Sequence, residues 1–204
     1  MTTRHPKHAT PDQPILEPIA ARWSPYAFDA TRTLEPEKLR ICLEALRWAA
    51  SSYNEQPWSY LIARREDEAA FKTMLGCLWE GNQAWAQNAS VLMISVVQRA
   101  FKLNGKPNRV AEHDLGLAAG NLVIQAAAIG VDVHQMAGVD LGKAKQTYAI
   151  PDGYEAYTGI ALGYAAPLEA ITDPKLRTGE ETPRTRKKVE EFMFAGKWGQ
   201  RASL

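Results

Sequence analysis

Between Ala49 and Trp58 the chain reads AASSYNEQPW, so Ser51, Ser52, Tyr53, Asn54 and Gln56 crowd hydroxyl and amide groups into one short stretch. Pro57 removes a backbone donor and disfavours helical geometry at Gln56. A polar loop of this kind can aim amides and hydroxyls at a flat ligand rich in donors and acceptors. The same residue types also end helices and make turns, and the stretch alone leaves both readings open. Other chemistry-bearing groups are more scattered. Lys102, Lys106 and Arg109 form a small basic cluster in a Gly/Pro loop, suited to a nucleotide phosphate or simply to water. His113 and Asp114 stand at a helix start, where a cap is expected. His134 lies in a strand and reads either as a hydrogen-bonded structural histidine or as a side chain lining a substrate. His5 and His8 are too isolated to argue for a metal site. The chain contains no GxSxG, HExxH, GxGxxG or phosphate-binding P-loop motif.

The polar loop is framed by a helix and a strand. Leu34 to Ala50 predicts a helix, with Pro36 in its first turn and Leu39, Cys42, Leu43, Leu46 and Ala50 at three- and four-residue steps. Trp58 to Arg64 predicts a strand. A second helix is expected over Glu66 to about Glu80, with Phe71, Met74, Leu75 and Leu78 on one face. Ala89 to Val97 is a continuous apolar, β-prone run and predicts a buried strand. Asp114 to Ile129 predicts a helix that is apolar nearly all round, and such a helix must be covered on every face, by its own sheet or by another subunit. Val131 to Met136 and Tyr157 to Tyr164 predict two more strands, with a short helix over Leu141 to Tyr148 between them. Beyond Pro167 the chain turns polar and basic, and the arm over 168–204 ends in an apolar tail, Val189 to Trp198, that needs something to pack on.

A chain of 204 residues fits one domain, here expected over 15–204, preceded by a flexible tail over 1–14 that carries Pro6, Pro11 and Pro14 but no apolar signal-peptide core. A net charge of +1 argues against nucleic acid or an anionic membrane surface as partner. The longest apolar stretch, Leu115 to Val133, is broken by Gly116, Gly120, Asn121, Gln125, Gly130 and Asp132, too polar for a membrane span. Two cysteines, Cys42 and Cys77, form no CxxC pair, so a reducing cytoplasm is the expected location.

Taken together, Arg22-Trp23-Ser24, the Ser51–Trp58 loop, Asp114-Leu115-Gly116-Leu117-Ala118-Ala119-Gly120-Asn121, Met136-Ala137-Gly138-Val139-Asp140, Ile150-Pro151, Ile160-Ala161-Leu162-Gly163-Tyr164 and Arg184-Thr185-Arg186 resemble the FMN-dependent nitroreductase family. The motifs follow that family's order and spacing from about Ala20 to Trp198. The resemblance implies an α+β fold, a mainly antiparallel central sheet flanked by helices, in an intimate homodimer whose C-terminal arm packs on the partner. It also implies FMN at the interface, NADH or NADPH as electron donor, and a small electron-poor acceptor reduced in ping-pong fashion. Same-fold alternatives are substrate oxidation with O2, reductive dehalogenation, or FMN binding without catalysis.

By resemblance, Arg22 and Ser24 meet the FMN phosphate, with Trp23 and Tyr26 beside them, and Arg184 and Arg186 close on it from the far end of the chain. A guanidinium fork suits a phosphate bidentately. Ala50, Ser51, Ser52, Asn54 and Gln56 correspond to the loop that touches the flavin from the opposite subunit. Asn82 falls near the pyrimidine side of the ring. Ala137 and Gly138 take the place where backbone amides face flavin N5 and O4, an oxyanion-type stabilisation of the reduced ring. No side chain is assigned as general acid or base, since the chemistry belongs to the flavin. Two departures stand out. Tyr26 replaces a polar or basic residue of many relatives, and Trp85, which reads equally as plain core, replaces a lysine that in some reaches the pyrimidine, which predicts a lower flavin potential.

Overall fold

The computed structural model describes residues 5–203. Its spine is a strand over Val91–Gln98, whose alternate side chains feed two cores. Leu92, Ile94 and Val96 join Phe71, Met74, Leu78, Trp85 and Met136 in one cluster. Val91 and Met93 join Leu39, Cys42, Leu46, Leu122, Ala126, Ile160 and Leu162 in the other. Two-residue periodicity sends neighbours to opposite faces, so a run that is apolar at every position requires cover on both faces. Each fully buried Leu or Ile contributes roughly 1.5–3 kcal/mol of transfer free energy.

In chain order the elements are α1 (Glu17–Ala21), α2 (Pro36–Arg47), β1 (Trp58–Arg64), α3 (Glu68–Leu75), α4 (Glu80–Ala86), β2 (Val91–Gln98), α5 (Ala111–Ala128), β3 (Asp132–Met136), α6 (Leu141–Thr147), β4 (Tyr154–Gly163) and α7 (Pro174–Glu181). The sheet order is β1-β2-β4-β3 and every pairing is antiparallel. Helices α2 and α5 pack together, with α5 against the sheet, while α3 lies on β1 and β2 and α6 on β4. The fold class is therefore α+β, as expected.

Several elements differ from expectation. The helix expected over 66–80 ends at Leu75, and a separate helix, α4, starts at Glu80. Between them Cys77 and Leu78 bond back to Met74 and Leu75, and a bridge joins Leu78 to Val139, so packing against the post-β3 loop interrupts the helix. α7 stands in a segment read only as polar and basic; Asp173 caps it through its carboxylate on the Lys175 and Leu176 amides, with Pro174 in the first turn. Residues 5–14, expected as a loose tail, lie against the body: the Ala9 amide donates to Ala20 at 2.9 Å and Lys188 pairs with Asp12 at 2.8 Å. The first four residues of that segment lie outside the described part.

Helix α5 buries Ala118, Leu122 and Ala126 and exposes Gly116, Leu117 and Asn121. A Cβ placed on Gly116 or Gly120 would meet nothing within 4 Å. This chain therefore covers one face of α5 and leaves a small-sided face open. The C-terminal segment is open as well, with Phe192, Met193 and Trp198 exposed. Among the described residues no helix is long and apolar enough to cross a membrane.

Candidate functional site

Arg22, Trp23 and Ser24 follow directly on α1, and Arg184 and Arg186 follow on α7. The fold brings these two ends of the chain together around a cavity of about 200 Å³, lined by Lys7, Arg22, Trp23, Ser24, Arg184 and Arg186. The closure is mechanical. Glu180 of α7 is 3% exposed; its carboxylate accepts the Trp23 indole N–H at 2.8 Å and the Tyr26 amide at 2.6 Å. Arg184 donates through Nε to the Lys7 carbonyl at 2.5 Å and through Nη2 to the Ala20 carbonyl. Arg22 donates to Ser24 Oγ at 2.9 Å.

The electrostatics of this cradle are one-sided. Among the described residues none of Lys7, Arg22, Arg184 and Arg186 makes an ion pair. Burial, then the neighbouring Arg184 and Arg186, push the Arg22 guanidinium below its ordinary pKa, and burial and Arg186 do the same to Arg184. Arg22 Nε is buried without a hydrogen-bond partner. A buried donor left unpaired costs about 1–3 kcal/mol, more when charged. Converging cations with an orphaned donor form a site that only an anion completes. A phosphate monoester suits the guanidinium forks and the hydroxyl.

Beside the cradle lies β3, tied to Pro25 through His134. The His134 imidazole meets the Pro25 carbonyl at 2.8 Å through Nδ1 and stacks on Trp85 with centroids 4.2 Å apart, while Tyr26 sits edge-on to both rings. Just past β3, Gly138 offers its carbonyl to the Trp79 amide at 3.0 Å and to Asn82 Nδ2 at 3.1 Å. A Cβ on Gly138 would fall 2.2 Å from that amide nitrogen, so any other residue there must displace the Asn82 side chain. Among the described residues no loop or turn bond uses the Ala137 or Gly138 amide as donor; Ala137 is exposed and Gly138 buried.

The Ala50–Gln56 loop lies elsewhere. Tyr53, Asn54 and Gln56 have φ of 53°, 54° and 50°, left-handed values that cost non-glycine residues free energy. Among the bonds that hold them are Ser52 N–H to the buried Asp114 carboxylate at 2.9 Å, Gln56 N–H to Ser51 Oγ at 3.0 Å, and Lys102 N–H to Glu55 at 2.7 Å. Ala50, Tyr53, Asn54 and Gln56 are exposed. The loop enters edge strand β1 at Trp58, which pairs with Val97 and, through it, with Glu155. The cradle adjoins the other edge strand, where His134 pairs with Ala161. From 155 to 161 is six residues of β4 (161 − 155), about 20 Å of strand. One chain therefore holds the two polar groups at opposite edges and opposite ends of its sheet.

The sequence profile of the nitroreductase family matches residues 19–164. The chain belongs to the nitroreductase family. Among solved structures, an oxidoreductase containing FMN superposes with a TM-score of 0.87 at 30% identity, covering 98% of this chain and all of the other. The major NAD(P)H-flavin oxidoreductase of Aliivibrio fischeri is 25% identical over 88% of this chain and 97% of its own length. A 15.4 kDa protein of Mycolicibacterium smegmatis is 30% identical over 65% of this chain and 86% of its own.

Within this nitroreductase-family frame, the structure unites Arg22, Trp23, Ser24, Arg184 and Arg186 in one cavity and Asn82 with Gly138 in one contact. It does not bring Ala50, Ser51, Ser52, Asn54 or Gln56 to either. Tyr26 is half exposed beside the cradle. Trp85 is 4% exposed, packed between His134 and Phe28, and offers a ligand almost no surface, so it is a core residue. Sequence reasoning passed over Lys7, Glu180 and the Asp114–Ser52 bond. Asp114 was legible only as a helix-start acid, and nothing in the local pattern marks Glu180 as buried.

Proposed function

We propose that this chain is an FMN-dependent oxidoreductase passing two electrons from NADH or NADPH to an electron-poor acceptor such as a nitroaromatic or a quinone. The observation that carries the reading is the anion-hungry cavity framed by Arg22, Ser24, Arg184 and Arg186 in a nitroreductase-family fold. Arg22 and Arg184 hold the phosphate, Ser24 completes its shell, and Arg186 neutralises charge from the solvent side. Ala137 and Gly138 present free amides, and Asn82, fixed by its bond to Gly138, orients the opposite edge. Bound FMN supplies the two-electron exchange itself. Nicotinamide and acceptor use one open face in turn, which yields ping-pong kinetics.

The active unit is a homodimer with FMN between subunits. Three features support it: the open small-sided face of α5, the exposed apolar C-terminal arm, and the roughly 20 Å that separates the Ala50–Gln56 loop from the cradle within one chain. In the dimer the loop of one subunit completes the cradle of the other. The free, buried Cys42 and Cys77 and the use of NAD(P)H fit a cytoplasmic location.

Anaerobic stopped-flow mixing of the FMN-loaded protein with NADH and with NADPH tests the reaction. Fast bleaching of the oxidised-flavin band by either nucleotide is expected and identifies the donor. A bound-flavin spectrum that neither nucleotide bleaches would keep the cofactor and overturn the reductase.

A further inference from the structure

The N-terminal segment is not a bystander to the cradle. It crosses Trp23, where the His5 ring stacks on the indole with centroids 4.2 Å apart and planes 13° from parallel. The Lys7 amide donates to His5 Nδ1 at 3.1 Å, and the Lys7 carbonyl takes the Arg184 Nε–H at 2.5 Å. His8 Nε2 lies 3.0 Å from Glu17, the Ala9 amide bonds to Ala20, and Asp12 pairs with Lys188. These anchors tie residues 5–12 to α1, to the Trp23 platform and to the C-terminal segment. The Trp23 indole is itself fixed by Glu180, so the strap rests on a rigid base.

The strap brings Lys7 to the cavity. Lys7 lines it together with Arg22, Ser24, Arg184 and Arg186, is half-buried, and among the described residues has no ion-pair partner. We propose that Lys7 is a further phosphate-binding residue, delivered by the N-terminal segment acting as a strap that retains the cofactor. The inference rests on the reading of the cavity as the FMN-phosphate site. Lys7 contributes in two ways: its ammonium faces the phosphate, and its carbonyl orients the Arg184 guanidinium.

The test compares wild type and Lys7→Gln for binding of FMN and of riboflavin, which lacks the phosphate, by quenching of flavin fluorescence across a salt series. Loss of one charge-assisted contact is expected to weaken FMN binding roughly tenfold and to flatten its salt dependence, with riboflavin affinity unchanged. Lys7→Arg is expected to restore most of the loss. The apo-protein melting temperature serves as the folding control; for Lys7→Gln it should stay level. FMN affinity equal to wild type would overturn the role of Lys7 while leaving the site intact. Equal losses for FMN and riboflavin would also overturn it, since they show the strap acting on shape rather than on phosphate. Wild-type protein that binds neither flavin would take down the reading of the site, and this proposal with it.

Discussion

Side chains from both ends of the chain meet at the cavity beside Trp23, whereas the Ser51–Gln56 loop meets its own chain through bonds that hold its backbone and through the edge-on Tyr53–Phe101 ring contact. The contrast is one of completeness. The cradle is bound in by Glu180, the Arg184–Lys7 bond and the His5–Trp23 stack, and lacks only an anion. The loop is held in left-handed geometry by Asp114, Ser51 and Glu55, and its polar side chains face outward. Strain at a loop persists only where surrounding contacts over-determine it. Here the buried Asp114 carboxylate on α5 is the main such contact, and α5 is also the helix with an open face. The strained loop and the open helix face lie in one region, and the proposed dimer rests on both.

Mixing two defective chains offers the strongest test of this division. Arg184→Met removes the guanidinium from the cradle and should weaken FMN binding on the order of 100-fold. A second chain with Ser51, Asn54 and Gln56 all changed to Ala should also bind poorly. If cradle and loop come from different subunits, mixed dimers hold one intact site and one doubly defective site. Spectral titration should then find one tight FMN per mixed dimer. Mixed dimers with no tight site would mean that each site carries one defect, with cradle and loop from the same chain, and break the two-chain picture.

A smaller effect is expected from Asp114→Ala, which leaves the Ser52 amide without its acceptor and should cost about 1–3 kcal/mol of stability, read from the midpoint of urea unfolding. FMN affinity should fall with it. Stabilisation by inorganic phosphate should not change, because the cradle is untouched. A loss of phosphate protection equal to the loss of FMN affinity would show the two regions to be coupled within one chain.

The smallest effect is on pH dependence. Burial is the main cause holding both His134 and His5 below the ordinary histidine value of 6.5. The unfolded chain then takes up protons more readily than the native one just below 6.5. The stability these groups contribute is full above that value and falls as pH drops toward their folded values. The slope is at most about 1.4 kcal/mol per pH unit for each histidine. Unfolding midpoints between pH 7 and 5 should decline in wild type and decline less in His134→Gln. Parallel declines in the two proteins would mean that acid acts elsewhere than on this side of the cradle.

Local pattern made much of this legible. The helix over Pro36–Arg47 carries its proline at the start and its apolar stripe inward, and β1 falls at Trp58–Arg64 as read. The apolar run at β2 demanded cover on both faces and has it. The Arg22 and Arg184 segments were legible through resemblance, and their convergence is a matter of geometry. The misread pieces share a cause. α3 stops at Leu75 because the Leu78–Val139 bridge captures the chain, and residues 5–14 are held by partners distant in sequence, Arg184 and Lys188. Trp85 could be a ligand contact or core until His134 and Phe28 were seen to enclose it.

The sequence by itself determined most of the helices and all four strands, that the sheet must be covered on both faces, and that two cationic segments and one polar loop are available for chemistry. These follow from side-chain periodicity and backbone preference, which act between residues close along the chain. Only the tertiary structure decided that Lys7 joins Arg22 and Arg184, that Glu180 is buried as their clasp, and that the loop stands at the far edge of the sheet. Such facts depend on which distant surfaces pack together, and on the desolvation that follows when they do.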